Sequence, residues 1–248
     1  MQNLEKFKGI NSQELRGFLT GLILGDGTID KGVHKRAFRI KSIDKDFIEM
    51  ISYVISNNTN FKFYIKEHDA EVKDGISHKR YWELKITAHP YFNKKYHNFY
   101  DDKRHRKIYS ETLDWLTPLG LACWYMSDGY VCHVGKNSGY IYGRRMELAT
   151  DRYYYEDVQL IVQKLKSKWG INSSVITRGK TYRIRIKTES YETFINLISP
   201  YIISSMLYKL YLGYSKKPNT LSENGWNYQQ YLLSAITLTD NAEGKDIV

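Results

Sequence analysis

Two aspartates stand at the ends of apolar, helix-like runs, where helix electrostatics disfavours a carboxylate. Asp26 ends the run in GFLTGLILGDG (17–27), and Asp128 ends the run in LACWYMSDGY (121–130), 102 residues further along the chain. A helix C-terminus carries partial negative charge, so an acid there costs a few tenths to about 1 kcal/mol. Two such acids brought together repel each other, which favours uptake of a proton or of a divalent cation.

A magnesium site is the chemistry that these acids favour. Mg²⁺ binds hard oxygen ligands such as carboxylates and backbone carbonyls. The last carbonyls of a helix have no intrahelical partner, so Gly25 and Ser127 are expected to join Asp26 and Asp128 as ligands. The alternative is that both Asp-Gly pairs are ordinary turns, because Asp-Gly is common in turns. The repetition of the pattern favours the metal site.

Small residues predict that the two runs are helices in close contact. Gly17, Gly21 and Gly25 recur every four residues and therefore share one helical face. Glycine inside a helix costs about 1 kcal/mol relative to alanine, and such a stripe is typical of helices whose backbones approach closely. The second run offers its own small residues: Ala122, Cys123 and Ser127. We expect the helices to pack around a pseudo-twofold axis that brings both aspartates together.

The elements that must position these helices repeat in the same order. Hydrophobic periodicity predicts strands and helices after Asp26 at 35–42, 44–58, 61–68, 81–88 and 89–100. It predicts the same series after Asp128 at 139–150, 154–170, 172–179, 181–188 and 190–202. The expected fold class is α+β (mixed α/β), with two αββαββα repeats and antiparallel sheets. The repeats are assigned to 1–112 and 113–215, and 216–248 to a peripheral tail.

The predicted strands have one apolar face and one polar, mostly basic face. In TYRIRIKT (181–188), Ile184 and Ile186 share one face, while Arg183 and Arg185 share the other. Arginine reads guanine edges and lysine neutralises phosphates, so we expect DNA contact; a merely solvated face usually mixes charge signs. The residues expected to contact DNA are Lys35, Arg36, Arg39, Lys41, Lys62, Tyr64, Lys66, Lys79, Arg80, Tyr81, Lys85, Arg144, Arg145, Arg178, Lys180, Arg183, Arg185 and Lys187.

The composition agrees with a nucleic-acid partner. The 248 residues contain 37 Lys and Arg against 27 Asp and Glu, a net charge of +10, and such a balance is typical of proteins that bind polyanions. Solubility alone is the alternative. Cys123 and Cys132 fit no zinc pattern, which indicates free thiols in a reducing compartment. No apolar run reaches the roughly 18 residues of a membrane span, so we expect an intracellular protein without a membrane partner.

The two runs resemble a known family motif. LTGLILGDG (19–27) and LACWYMSDG (121–129) are similar to the nine-residue motif of the LAGLIDADG homing endonucleases. LTPLG before the second motif and SPYIISSMLYKL (199–210) most resemble the monomeric, double-motif branch typified by the yeast mitochondrial omega-intron endonuclease. The resemblance covers about residues 12–212. It implies two central motif helices and two curved sheets that form a saddle over the DNA major groove. It also implies Mg²⁺-dependent cutting of both strands of a long asymmetric site, with short 3′ overhangs.

The resemblance also implies roles for individual residues. Asp26 and Asp128 would share two or three Mg²⁺ ions between the scissile phosphates, where phosphodiester hydrolysis takes place. One basic side chain in each half would stabilise charge on the phosphate or help orient water. In the second half this residue is Lys209. In the first half it is Arg106, with Lys107 as runner-up, because the alignment there slips by one residue.

The chain departs from the motif at two places. Leu24 and Met126 replace the first aspartate of the motif, which is not the metal position in the family. Cys123 and Trp124 replace a Gly-Leu pair, which makes the second helix bulkier and affects the details of helix packing.

Two alternative functions use the same scaffold. An RNA maturase would help its host intron splice, with or without cleavage, and a regulator would bind DNA without cutting. Retention of both Asp26 and Asp128 argues against lost cleavage. We expect a monomer that binds double-stranded DNA and, in the maturase alternative, host intron RNA. The compartment is the mitochondrion if the chain is encoded in an organellar intron, and otherwise a bacterial or phage-infected cytoplasm.

Overall fold

Two helices carry the paired aspartates and lie against each other at the centre of the protein. Helix α1 (Ser12–Leu24) begins at Asn11, whose side chain accepts hydrogen bonds from two backbone N–H groups of the first turn. Helix α5 (Pro118–Asp128) begins at Thr117, whose side chain caps the helix in the same way. Asp26 follows the end of α1, and Asp128 is the last residue of α5.

The helix pair is as close as the glycines predict. A Cβ at Gly21 would lie far under 3.0 Å from the backbone of Gly120, and a Cβ at Gly120 equally close to the carbonyl of Gly17. The atoms nearest Gly25 belong to Ser127. Small residues on both helices therefore allow backbone-to-backbone contact. The expected partners Ala122 and Cys123 are buried in the core but are not among the nearest contacts of these glycines, because Thr117 and Gly120 occupy that face.

A computed structural model describes residues 4–30, 36–73, 76–134 and 143–210 of the chain. In the first half, an antiparallel sheet has the strand order β1-β2-β6-β3. Its strands and the following helices are β1 (Thr28–Ile29), β2 (Phe38–Ser42), α2 (Lys45–Asn58), β3 (Phe63–His68), β6 (Tyr81–Ile86) and α3 (Pro90–Lys95). Between β3 and β6, a separate two-stranded hairpin contains β4 (Glu71–Lys73) and β5 (Ile76–His78).

The second half repeats this sheet with the order β7-β8-β10-β9. After the short α4 (Ser110–Asp114) and the motif helix α5, its elements are β7 (Gly129–Val134), β8 (Gly143–Ala149), α6 (Tyr155–Trp169), β9 (Ser173–Arg178), β10 (Thr181–Ile186) and α7 (Tyr191–Ile198). Short 3₁₀ turns at Ser199–Tyr201 and Ser204–Leu210 end the described chain. The mixed α/β fold class and the doubled, pseudo-symmetric architecture are therefore confirmed. The tail assigned to 216–248 lies outside the described residues.

Alternation along the strands separates a core from an open sheet face. Ile40 and Leu84 are fully buried, whereas Arg39 and Lys85, their neighbours along the strands, remain partly exposed on the other face. The same alternation holds in β10, where Ile184 is fully buried between two partly exposed arginines. The apolar faces thus close the core, and the polar faces are left for a ligand.

Local structure differs from the sequence prediction at several boundaries. Chain segments expected as loops after the aspartates form strands β1 and β7 directly. The helix expected over 89–100 is the six-residue α3 followed by a 3₁₀ turn at Tyr96–Asn98. The helix expected over 190–202 ends at Ile198, because Pro200 cannot donate a backbone hydrogen bond.

Candidate active site and nucleic-acid interface

The two aspartates lie where the motif helices end and meet. The Gly27 N–H donates to the carbonyl of Leu22 at 2.7 Å, which turns the chain sharply around Asp26. A Cβ at Gly25 would lie 2.7 Å from the Cβ of Ser127, the residue before Asp128, so the two helix ends are in contact. The Asp26 side chain keeps 37% of its surface exposed and is therefore accessible to a ligand.

The electrostatics of Asp128 report the same proximity. The pKa of Asp128 is raised to about 7, mainly by burial and in addition by the neighbouring charge of Asp26. Three cations, Arg152, Arg106 and Lys209, oppose the rise. Burial and Asp26 outweigh these three cations, so a bound cation would further stabilise the ionised carboxylate.

Arg106 binds the carboxyl end of helix α1. Its guanidinium donates to the carbonyls of Ile23, Gly25 (3.1 Å) and Gly27 (2.5 Å), which have no helical partner. The hydroxyl of Tyr153 donates to the carbonyl of Leu24 at 2.9 Å. These bonds fix the turn that carries Asp26.

Lys209 binds the end of α5 in the equivalent way. Its ammonium donates to the carbonyls of Met126 and Ser127, the second at 3.4 Å. The Tyr125 hydroxyl in turn donates to the Lys209 carbonyl at 2.8 Å. Burial lowers the pKa of Lys209, and the charge of Asp128 partly offsets this. Arg106 and Lys209 are 103 residues apart, one more than the 102 residues between the aspartates, and each half thus has one acid and one cation.

Hard oxygen ligands are present at this junction. Asp26, Asp128 and the carbonyls of Gly25 and Ser127 supply oxygen only, and each carbonyl that accepts one hydrogen bond keeps a second lone pair. Among the described residues, no cluster of three or more His, Cys, Asp or Glu side chains could hold a metal. A cation here would therefore complete its coordination with water or with oxygens of a bound ligand. The donor set fits Mg²⁺.

On the first sheet, an acid organises the basic face. Asp30, just after β1, accepts a hydrogen bond from Arg39 Nε at 2.8 Å and lies 3.8 Å from Lys85 Nζ. Arg39 and Lys85 are register partners on neighbouring strands. Lys41 on the same face lies 3.5 Å from the Tyr81 hydroxyl. The cations are thus held in fixed positions above the sheet.

On the second sheet, a buried glutamate plays this part. The Glu147 side chain has no exposed surface and accepts hydrogen bonds from Arg185 (3.0 and 2.9 Å), Arg178 (3.3 Å) and Tyr130 (2.5 Å). Burial would raise the pKa of Glu147, but these hydrogen bonds hold it below its ordinary value. Asp151 holds Arg183 similarly, at 3.0 and 3.1 Å.

Comparison with known proteins gives the family. The model of the LAGLIDADG DNA endonuclease family matches residues 16–194, which include most of α1, all of α5, both aspartates and both four-stranded sheets. The chain belongs to this family. The resemblance inferred from the two nine-residue motifs is confirmed.

Relatives in the LAGLIDADG family include endonucleases and a maturase. A probable intron-encoded endonuclease of Wickerhamomyces canadensis is 30% identical over 202 residues, or 77% of this chain and 81% of that protein. The cytochrome b mRNA maturase bI2 of Saccharomyces cerevisiae is 27% identical over 219 residues, 80% of this chain but 48% of the maturase. A solved structure of the homing endonuclease I-WcaI bound to its DNA recognition sequence has a TM-score of 0.67 and 25% identity, covering 85% of this chain and 92% of that one.

Several predicted residues lie away from the LAGLIDADG helix ends or make other contacts. Lys107 pairs with the buried Asp157 at 2.9 Å and not with a helix end. Arg36 donates to Asn93 and lies over the ring of Tyr96.

The remaining predicted DNA contacts occupy the rim or the open faces of the sheets. Arg80 forms ion pairs with Glu67 and Asp69 at 3.3 and 3.1 Å. The exposed members are Lys62, Tyr64, Lys66, Lys79, Arg145, Lys180 and Lys187. Lys35 lies outside the described residues, as does the side chain of Arg144.

Sequence reasoning missed two residues beside the aspartates. Arg152 lies 3.7 Å from Asp26, and Tyr153 caps the end of α1 from the opposite half. A signal existed in the length of their loop. Five residues separate β8 from α6, whereas two separate β2 from α2.

No helix within the described ranges is both long and apolar enough to cross a lipid bilayer.

Proposed function

We propose that the protein is a site-specific homing endonuclease. It makes a Mg²⁺-dependent double-strand break in a long, asymmetric DNA target and leaves short 3′ overhangs. The observation that carries this proposal is that each motif helix ends at one aspartate and has one cation bound to its last carbonyls, Arg106 where Asp26 follows α1 and Lys209 where Asp128 ends α5. Two equivalent sets, each of one carboxylate and one cation, suit a reaction that cuts two DNA strands.

Asp26 and Asp128, with the carbonyls of Gly25 and Ser127, are the proposed ligands of two or three shared Mg²⁺ ions. When bound, such ions supply Lewis-acid stabilisation of phosphate charge and lower the pKa of water. Divalent metal use is general in the family, and the all-oxygen donor set supports Mg²⁺ here.

Arg106 and Lys209 are proposed to act on the scissile phosphates. In each cut a water oxygen bonds to phosphorus, the bond from phosphorus to the leaving sugar oxygen breaks, and that oxygen takes a proton. Negative charge builds on the phosphate during this step, and a cation already fixed in place stabilises it without reorganisation. The carbonyls that hold both side chains provide that fixation. Arg106 is preferred to Lys107, whose ammonium pairs with Asp157.

The two sheets are proposed to read the target unequally. Thr28 and Tyr130 each lie two residues beyond an aspartate and are register partners of Arg39 and Glu147, respectively. A cation in one half therefore corresponds to an acid in the other. Because both halves belong to one chain, a monomer is the proposed active form, with repeats at 1–112 and 113–215.

A cleavage selection tests this function. The purified protein is incubated with a randomised duplex library in Mg²⁺ and separately in EDTA, and the cut ends are sequenced. Mg²⁺-dependent ends at one long asymmetric consensus are expected. Specific binding without cutting would contradict the endonuclease and favour a regulator.

Substitution of either aspartate tests the proposed metal ligands most directly. Asp26→Asn or Asp128→Asn is expected to lower double-strand cleavage at least about a thousandfold, because the metal ligands are lost. Target binding should stay within about threefold, since the sheet contacts remain. Asp102→Asn, an exposed carboxylate, is the matched control. A strong loss of binding in the active-site variants would mean that the aspartates shape the fold instead.

A maturase is the second candidate, supported by the similarity to the cytochrome b mRNA maturase bI2. It is tested by binding of the chain to its host intron RNA and by splicing with and without added protein. The yeast relatives favour a mitochondrial, intron-encoded origin as the proposed compartment.

A further inference from the structure

The surroundings of the two proposed catalytic cations differ in charge. A cleft of about 520 Å³ beside Arg106 is also lined by Arg104, Arg152 and Lys180, with Asp151 as its one carboxylate. Asp151 is already engaged by the side chains of Arg183 and Thr181. This cleft therefore combines four cationic side chains with one carboxylate that is already engaged, and the proposed metal ligand Asp26 lies 3.7 Å from Arg152.

The Lys209 side is more balanced. Its groove of about 910 Å³ is lined by three lysines and by the proposed metal ligand Asp26, and it has two further carboxylates, Asp44 and Glu71. One of these acids, Asp44, caps helix α2 and accepts a hydrogen bond from Ser205 at 3.1 Å. Its charge also raises the pKa of Lys209, against the larger lowering by burial. A phosphate on this side meets carboxylates as well as cations.

Part of the difference comes from one loop. The first half passes from β2 to α2 through Ile43 and Asp44 alone, whereas the second half passes from β8 to α6 through residues 150–154. The longer loop carries Arg152, whose guanidinium reaches to 3.7 Å from Asp26 and keeps 57% of its side-chain surface exposed. An exposed arginine beside the helix junction can reach a backbone phosphate.

We propose that Arg152 contacts the DNA backbone on the Arg106 side of the active site and makes the two cuts sequential, with the strand beside Arg106 cut first. This inference rests on the proposed endonuclease function. The extra cations attract the phosphate and stabilise the charge that builds on it during hydrolysis. Among the residues that the structure describes, none on the Lys209 side is equivalent to Arg152, and the strand beside Lys209 is cut second.

The test follows each strand separately. A duplex with the selected target carries a different fluorophore on each 5′ end, and both nicking rates are measured under single-turnover conditions. Arg152→Gln is expected to slow the first-cut strand about tenfold, less than the roughly 10²–10³-fold of a buried donor, because the side chain is exposed. The second-cut strand should change less than about twofold, and Arg152→Lys should keep the cutting order.

Two further variants complete the design. Arg106→Gln should slow the same strand as Arg152→Gln, and Lys209→Gln the other strand. Lys45→Gln is the matched control, because Lys45 is 59% exposed and has one ion pair, at 3.2 Å to Glu49. Equal slowing of both strands by Arg152→Gln, slowing of the second-cut strand alone, or opposite strands for the Arg152 and Arg106 variants would each overturn the inference. If the wild-type protein cuts neither strand, the proposed function itself fails.

Discussion

At the scale of single residues, the shifted pKa of Asp128 makes the stability of the folded protein depend on pH. Its pKa lies near 7 in the folded protein, against an ordinary value of 3.8. The unfolded chain therefore loses this proton near pH 4, and the folded chain near pH 7. Between these values the folded state binds more protons, so the stability contribution of Asp128 falls as pH rises through that window.

Asp128→Asn should remove this pH dependence. In EDTA at pH 8, the free energy of unfolding of the variant is expected to exceed that of the wild type by at most about 4 kcal/mol. A tenfold difference in proton affinity between the folded and unfolded states corresponds to about 1.4 kcal/mol. The difference should be smaller at pH 5, where the folded carboxyl is protonated but the unfolded one is still ionised, and it should vanish only below about pH 4. Urea unfolding at both pH values measures this. Parallel curves for variant and wild type would contradict the buried, charge-coupled description of Asp128.

Glu147 is expected to act in recognition of the DNA target, because it holds Arg178 and Arg185 on the second sheet. Glu147→Gln keeps the shape but weakens the hold on Arg178 and Arg185, so target discrimination should fall by about 1–3 kcal/mol, the contribution of one bidentate base contact. Affinity for random DNA should not fall, because the variant is one charge more positive. Competition binding of target against random duplex measures both quantities. Glu189→Gln, an exposed glutamate, is the control, and an equal loss on both DNAs would argue against positioned readers.

At the scale of elements, periodicity was sufficient for the motif helices and most strands. Glycine spacing predicted the contact face of α1, and alternation predicted the basic sheet faces. The residues that hold the site were missed for a physical reason. Asp30 and Glu147 act through cross-strand contacts, and Tyr153 reaches a helix 129 residues away in sequence. Such partners depend on register and packing, which periodicity does not encode. Gly120 was overlooked because a single glycine makes no stripe.

Gly21→Ala tests the close helix contact. The new methyl group would collide with the Gly120 backbone, which cannot rotate away as a side chain can, so we expect a loss of about 1–3 kcal/mol or more in the free energy of unfolding. Thermal or urea unfolding measures it. Ser56→Ala, at an exposed position of α2, controls for alanine in a helix. An unchanged stability would mean that the helices can separate without cost.

At the scale of the whole molecule, the two halves share a backbone plan but differ in charge placement. The chain has a net charge of +10, and the basic faces of both sheets suit a polyanionic partner. The acids within these faces, Asp30, Glu147 and Asp151, position cations and offset only part of the positive charge. Affinity and specificity therefore depend on different parts of the same surface.

Salt separates these contributions. Target affinity should fall linearly on a log–log plot, by about 10³-fold or more between roughly 50 and 200 mM salt, if six or more phosphates are neutralised. Fluorescence anisotropy across that range measures the slope. Lys66→Gln, on the open face of the first sheet, should make the slope shallower by about one. An affinity independent of salt would contradict the sheet faces as the DNA-binding surface.

The capping of α1 from both halves limits how freely this molecule can be rebuilt by recombination. Arg106 lies near the end of the segment assigned to the first repeat and Tyr153 in the second half, yet both bind the last turn of α1. A chimera that joins residues 1–112 to a foreign partner half would keep Asp26 but could lose the hydroxyl that secures its helix. Exchange of recognition halves is therefore expected to succeed when the incoming loop keeps a tyrosine in register with position 153. This makes the loop a compatibility element in the modular evolution of such proteins.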